Sequence, residues 1–415
     1  MNAPAFDAPA AEWLVFADAL QQQGDPRGEL IALLHAKDEA KLAAHVQAHA
    51  GALLGAAAPF LGQGLEVDWQ WGFLRGATLE GRSAEGLEKM AEAVLASPYA
   101  AHLQRLKLIG ITEPLEGRWY DGARLDLEGL VARLAKTNLT SLALVDQRAA
   151  TSRTLASRDF DPGPNLVDFG PLTPVWSMPA LRELELVVAD VRQLPGGAIA
   201  SPTLEALTVN GLRFARAEYG DGAEPCEFAA ALGAATLPRL QRFEARLCEE
   251  WVANFVDDTG AYVSLEVEGD EPDDGNNEGS NWDGEFGDAL AMLAKAPLRR
   301  LALTSFDSTR SLLDALKARG LAPTLTELDL SDSTLGDDDV EWFEANAALI
   351  KPLRRFVAQR TGLTEAGADR LRALGLEVVF STSAPRFQPW EDPDGEGEAG
   401  GGLILPTYRY VVGME

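Results

Sequence analysis

Cysteine is nearly absent: Cys226 and Cys248 are the only two in 415 residues. They lie outside any C-x-x-C spacing and cannot staple so long a chain, so a reducing compartment, the cytoplasm, is expected. Histidine is scarce too, at four, which leaves little for acid–base catalysis or zinc ligation. No apolar run approaches the roughly 20 residues that a membrane-spanning helix needs. Met1 to Ala11 has no basic stretch leading into an apolar one, so an unsecreted protein is expected. Positive charge is outweighed, with 36 Lys and Arg against 64 Asp and Glu, a formal net charge of -28. Such a field repels phosphate backbones and anionic lipids, so neither nucleic acid nor membrane is expected as a partner. The sequences that cradle nucleotides or present a nucleophile, G-x-x-x-x-G-K-[ST], G-x-G-x-x-G after a strand and G-x-S-x-G, are missing as well. No cofactor and no catalysis are expected.

What the chain does have is apolar content, 46%, enough for a large core shared among several units or one elongated one. Its acid is concentrated locally. Glu266 to Asp288 carries ten acidic residues and no basic one, and Glu391 to Glu398 alternates acid with Gly and Pro; both read first as solvated loops. The first fifty residues read as a helical hairpin. Trp13, Leu14, Ala17 and Leu20 recur at helical spacing, Gly24-Asp25-Pro26 breaks the run, and a second one starts near Leu30 with Asp25 as its cap and Pro26 at its first position. The segment Phe16-Ala17-Asp18-Ala19-Leu20 followed by Gly24-Asp25-Pro26-Arg27-Gly28-Glu29-Leu30-Ile31 resembles the short repeat-companion domain that precedes leucine-rich repeats in bacterial proteins, with Ala19 in place of a tryptophan. Leu65 to Leu79 alternates in hydrophobicity around Gly72, as a β-hairpin capping a repeat stack would.

Self-similarity dominates the rest. The pattern Leu-x-x-Leu-x-Leu, which turns three apolar side chains inward from a short strand and the turn before it, recurs at Leu103/Leu106/Leu108, Leu139/Leu142/Leu144, Leu181/Leu184/Leu186, Leu204/Leu207/Val209, Leu298/Leu301/Leu303 and Leu325/Leu328/Leu330. Looser copies are Leu240/Phe243/Ala245, Tyr262/Leu265/Val267 and Leu353/Phe356/Ala358. The last two units continue through Ser333 to Leu335 and Thr361 to Leu363, then into helical stretches at Gly336 to Phe343 and Thr364 to Leu371. These resemble the strand-plus-helix repeats of ribonuclease-inhibitor-like proteins, in which Asn or Cys usually stands where Ser333 and Thr361 do. The expected fold is α/β, an irregular leucine-rich-repeat solenoid with a parallel concave sheet and helices outside. The expected organisation is a helical domain at 1–52, a capping hairpin and helix at 53–100, repeats at 101–381 with insertions near 145–180, 211–239 and 269–287, and a tail at 382–415.

In such a repeat the residues between the inward leucines line the concave sheet. Those positions hold Arg105/Lys107, Ser141/Ala143, Glu183/Glu185, Ala206/Thr208, Arg242/Glu244 with Arg246, Ser264/Glu266 with Glu268, Arg300/Ala302, Glu327/Asp329 and Arg355/Val357. The candidate partner-binding residues are Glu183, Glu185, Arg242, Arg246, Glu266, Arg300, Glu327, Asp329 and Arg355. Neighbouring strands about 4.8 Å apart would let Arg242, Glu266, Arg300, Glu327 and Arg355 pair laterally, leaving the face near neutral.

Other candidates are weaker. Asp274, Asn276, Glu278 and Glu285 reproduce the ligand spacing of a calcium loop with Gly279 at its turn, but a strand precedes them where a helix is required. His45 and His49 stand one helical turn apart, yet Val46 replaces the glutamate of H-E-x-x-H and no Cys/His cluster supplies the other ligands. The insertion carrying Arg153, Arg158, Asp159, Phe160 and Trp176, and the β-rich stretch from Leu403 to Val412, are alternative docking segments. The leading expectation is a scaffold or adaptor that binds another protein; an enzyme hidden in the insertions and a calcium-responsive adaptor are the alternatives.

Overall fold

Inward leucines decide where the strands lie. The computed structural model describes residues 2–112, 114–115, 118–122, 124–147, 167–188, 194, 197–212, 227–247, 254–256, 262–264, 292, 294–304, 309–320, 322–333 and 335–381. Eleven strands form one open sheet whose spatial order is the chain order. They are β1 (Leu65–Gln70), β2 (Phe73–Gly81), β3 (Arg105–Gly110), β4 (Ser141–Asp146), β5 (Glu183–Val187), β6 (Ala206–Leu212), β7 (Arg242–Leu247), β8 (Arg300–Thr304), β9 (Glu327–Asp329), β10 (Arg355–Gln359) and β11 (Glu377–Ser381). β1 and β2 are antiparallel, and every later pairing is parallel. The hairpin turns on Trp71 and Gly72, both at positive φ, the two-residue geometry whose twist matches that of the strands.

Parallel strands require a crossover, and helices lie in most of these connections, packed on one face of the sheet. Leu106, Leu142, Leu184, Leu207, Phe243, Leu301, Leu328 and Phe356 stand in one register row across β3 to β10, each almost fully buried. They belong to one core with residues of the helices Ala84–Leu95, Glu128–Leu134, Val340–Ala345 and Glu365–Ala373. A backbone ladder fixes the step between units. The carbonyl of Gln104 accepts from the N–H groups of Thr140 and Ser141 at 2.8 and 3.0 Å, and the carbonyls of Thr140, Arg182, Glu205, Gln241, Arg299 and Thr326 each do the same for the next unit. The longest step runs from Gln241 to Arg299 and the shortest from Arg182 to Glu205.

The hydroxyls of Ser333 and Thr361 close the turns after β9 and β10. Ser333 donates to the Leu330 carbonyl at 2.6 Å and accepts from the Leu335 N–H at 3.4 Å. Thr361 does the same with Ala358 and Leu363 at 3.2 and 3.3 Å. A short side chain that both donates and accepts thereby satisfies backbone groups that the turn would otherwise leave buried and unpaired.

The helices α1 (Ala10–Gln22) and α2 (Pro26–Ala36) pack on the hairpin end. Asp25 caps α2 by accepting from the Arg27 N–H, with Pro26 in the first turn. Gly28 lets the two helices meet, since a Cβ there would lie 2.5 Å from the Ala17 carbonyl oxygen. Trp13 stacks on Trp71 at 5.4 Å within a second core that also holds Phe16, Leu20 and Ile31.

One repeat position is corrected. Tyr262–Ser264 is antiparallel to Asn254–Val256 in a separate two-stranded sheet, and β7 pairs directly with β8, Arg242 opposite Arg300. No strand stands between them, so the place in the face expected for Ser264, Glu266 and Glu268 does not exist.

Candidate functional site

Alternation along each strand that buries one set of side chains turns the other set to the opposite, open face. Register lays these out as rows. One row runs Asp68, Gly76, Arg105, Ser141, Glu183, Ala206, Arg242, Arg300, Glu327, Arg355, Glu377. Beside it runs a second, with Lys107, Ala143, Glu185, Thr208, Glu244, Ala302, Asp329, Val357 and Val379 from β3 to β11.

Opposite charges pair across these rows. Small residues let long side chains meet over an intervening strand: Asp68 and Arg105 pair across Gly76, and Glu183 reaches Arg242 across Ala206 at 3.7 Å. Glu244 lies 4.0 Å from Arg242 and 3.4 Å from Arg300, which relieves the repulsion between those two adjacent cations. Arg300 also meets Glu327 at 3.2 Å and Asp329 at 3.9 Å. Arg355 sits between Glu327 and Glu377 at 3.7 and 3.8 Å. On the open face of β3 to β11 the cations Arg105, Lys107, Arg242, Arg246, Arg300 and Arg355 balance the acids Glu183, Glu185, Glu244, Glu327, Asp329 and Glu377 one for one.

Of the candidate residues, eight share this face, while Glu266 and all four calcium-loop positions, Asp274, Asn276, Glu278 and Glu285, lie outside the described residues. Four contributors lie outside that candidate set: Glu244, a face position that bridges two arginines, Glu377 on the last strand, and Asn210 and Thr304 flanking Arg246. Asn210 and Thr304 sit one place past the third apolar position of their motifs, where the same alternation could have found them.

The other candidates fall elsewhere. His45 Nε2 is 2.8 Å from the Pro26 carbonyl oxygen, so this ring ties the helix Glu39–Ala48 to the start of α2. Among the described residues no group of three or more His, Cys, Asp or Glu could hold a metal ion. Trp176 is buried in the core beside Val175 and Met178, a packing residue rather than a docking one; Arg153, Arg158, Asp159, Phe160 and the stretch from Leu403 to Val412 lie outside the described residues. No helix among the described residues is long and apolar enough to cross a membrane.

Glu185 is the strained member of the face. Burial holds its carboxyl above the usual carboxylate range, Lys107 pulls it down, and Glu244 pushes it up. A folded pKa above the unfolded one makes the ionised form a cost to folding, present above the folded pKa and relieved as pH falls through it. Glu185→Gln is therefore expected to raise the melting temperature at pH 7.5 by about 1–3 °C and to leave it unchanged near pH 4. Scanning calorimetry at the two pH values checks this, and equal gains at both would contradict it.

The architecture defines a mixed α/β protein built on a large, mostly parallel sheet. No protein-family model matches the chain, and no curated protein matches it. Among solved structures it is similar to a Bacteroides fragilis protein determined by a structural genomics consortium, at 15% identity over 73% of each chain with a TM-score of 0.46.

Proposed function

We propose that the chain is an irregular leucine-rich-repeat solenoid of the kind that follows a bacterial repeat-companion domain. On this reading it works in the cytoplasm as a scaffold that binds another protein, without catalysis, through the concave face of its sheet. The repeat assignment is supported by the carbonyl ladder from Gln104 to Thr326 and by the matching hydroxyl turns at Ser333 and Thr361. The observation that carries the functional reading is the band of paired charges on the open face from Glu183 to Glu377. Exposed pairs of this sort add only about 0–1 kcal/mol each to folding. Their use lies in specificity, because a partner must present the complementary pattern and mispaired charges are penalised.

The test is affinity capture from lysate of the native host followed by mass spectrometry, with a variant carrying Arg242→Glu, Arg246→Glu and Arg300→Glu as comparison. Both proteins are first shown to be folded by circular dichroism. The expected outcome is a partner retained by the wild type and lost by the variant. Equal recovery would remove the sheet face from the binding site, and empty capture by both would argue against the scaffold itself.

A further inference from the structure

We propose that Arg246, with Asn210 and Thr304 beside it, forms a subsite for the carboxylate of an acidic side chain on a partner protein. The proposal deepens the scaffold reading above and rests on it. The three residues occupy one register row on adjacent strands, Asn210 on β6, Arg246 on β7 and Thr304 on β8. Strands lie about 4.8 Å apart, so an amide, a guanidinium and a hydroxyl line a strip roughly 10 Å wide. All three are half-buried.

Arg246 differs from every other arginine on the face. Arg105, Arg242, Arg300 and Arg355 each have a carboxylate within 4.0 Å. Among the described residues Arg246 has none; its Nε, like those of Arg242 and Arg300, is buried without a hydrogen-bond partner, but only Arg246 also lacks a nearby carboxylate. Nor does its row offer an acid within reach: Asn210 and Thr304 flank it, and Val187, Val145 and Ile109 lie in turn beyond Asn210. Glu244, two positions away on β7, is held by Arg242 and Arg300. A guanidinium brings five N–H donors and no acceptor, so a half-buried one without an anion is poorly satisfied until an acceptor arrives.

Charge selects the ligand. One cation with two neutral neighbours matches a single negative charge spread over two oxygens, which a guanidinium can grip with parallel bonds. A phosphate group carries close to two charges, and here a second cation is lacking while Glu244 stands nearby. The anion is therefore an aspartate or glutamate side chain. Asn210 and Thr304 add donors that a carboxylate accepts from both sides.

The subsite is read at the arginine itself. In protein labelled with nitrogen-15 arginine, the Nε–H resonance of Arg246 is assigned by its loss in Arg246→Met, whose folding is checked by circular dichroism. The probes are the capped peptide acetyl-Ala-Glu-Ala-amide, its glutamine counterpart and inorganic phosphate, titrated at about 0.15 M salt so that the long-range field of the chain is screened. The expected result is a saturable shift of the Arg246 resonance with the glutamate peptide in the millimolar range, absent with the glutamine peptide. Asn210→Ala and Thr304→Ala should each weaken it about 2- to 10-fold. No shift, or a stronger response to phosphate, overturns the carboxylate assignment; unchanged affinity in both alanine variants reduces the site to a lone arginine and overturns it as well. The scaffold reading fails separately. A partner captured equally by the wild type and Arg246→Met, yet lost by a variant carrying Arg242→Glu and Arg300→Glu, sinks the subsite and keeps the scaffold.

Discussion

Phe243→Ala is expected to lower the unfolding free energy by about 3–5 kcal/mol, the range for truncating a fully buried phenylalanine. Phe243 has no exposed surface, and its register neighbours are Leu207 on β6 and Leu301 on β8. All three point into the same core, so removing the ring leaves a cavity that neighbours held in parallel register cannot readily fill. A loss of this size is a large share of the roughly 5–15 kcal/mol by which folded domains are stable. Phe243 lies between Arg242 and Glu244 in the chain, so whatever it does to β7 reaches the charged row on the other side of the sheet. The comparison is Thr208→Ala on the open face of β6, where the change should stay within about 0.5 kcal/mol. Urea midpoints for the two variants decide the matter: if they fall equally, the assignment of inward and outward faces at β6 and β7 is wrong.

That assignment was largely readable from the sequence, because the apolar positions of the motif are set by local alternation. The cap on α2 was readable for a similar reason, since Asp25 and Pro26 act within one turn of their own backbone. Pairing partners are not local. Tyr262, Leu265 and Val267 fit the inward pattern as well as Leu240, Phe243 and Ala245 do, yet an alternation of period two is shared by hairpins and parallel strands, and Tyr262–Ser264 belongs to a hairpin. The consequence reaches the site: the pattern alone sets an acidic strand between Arg242 and Arg300, whereas the two cations are adjacent and Glu244 separates their charges. The last strand departs from the pattern for the opposite reason. Its register on β10 puts Gly375 where Leu353 stands in the unit before, and that glycine takes φ +88, so the first leucine of the motif is replaced by a turn residue. Glu377 was lost from the charged row with it.

Arg300→Glu is the single change expected to damage this face most. Its guanidinium stands among Glu244, Glu327 and Asp329 at 3.4, 3.2 and 3.9 Å, and those carboxylates are more buried than the arginine itself. Reversal would gather four acids on three adjacent strands, with Arg242, Arg246 and Arg355 at the margins. Taking away the cation of a half-buried network costs more than an exposed pair contributes, because the acids left behind stay partly desolvated. With solvent screening allowed for, the loss of stability should be about 1–3 kcal/mol at low salt. It should shrink as salt rises from about 0.02 to about 0.5 M, as screened repulsion must. Arg300→Met, by contrast, should show a smaller loss with a weaker salt dependence. Denaturant unfolding of the wild type and both variants across this range of salt checks both expectations. A loss that is the same for Glu and Met and indifferent to salt would mean that Arg300 contributes through the packing of its stem, and the charged band would no longer account for the character of this face.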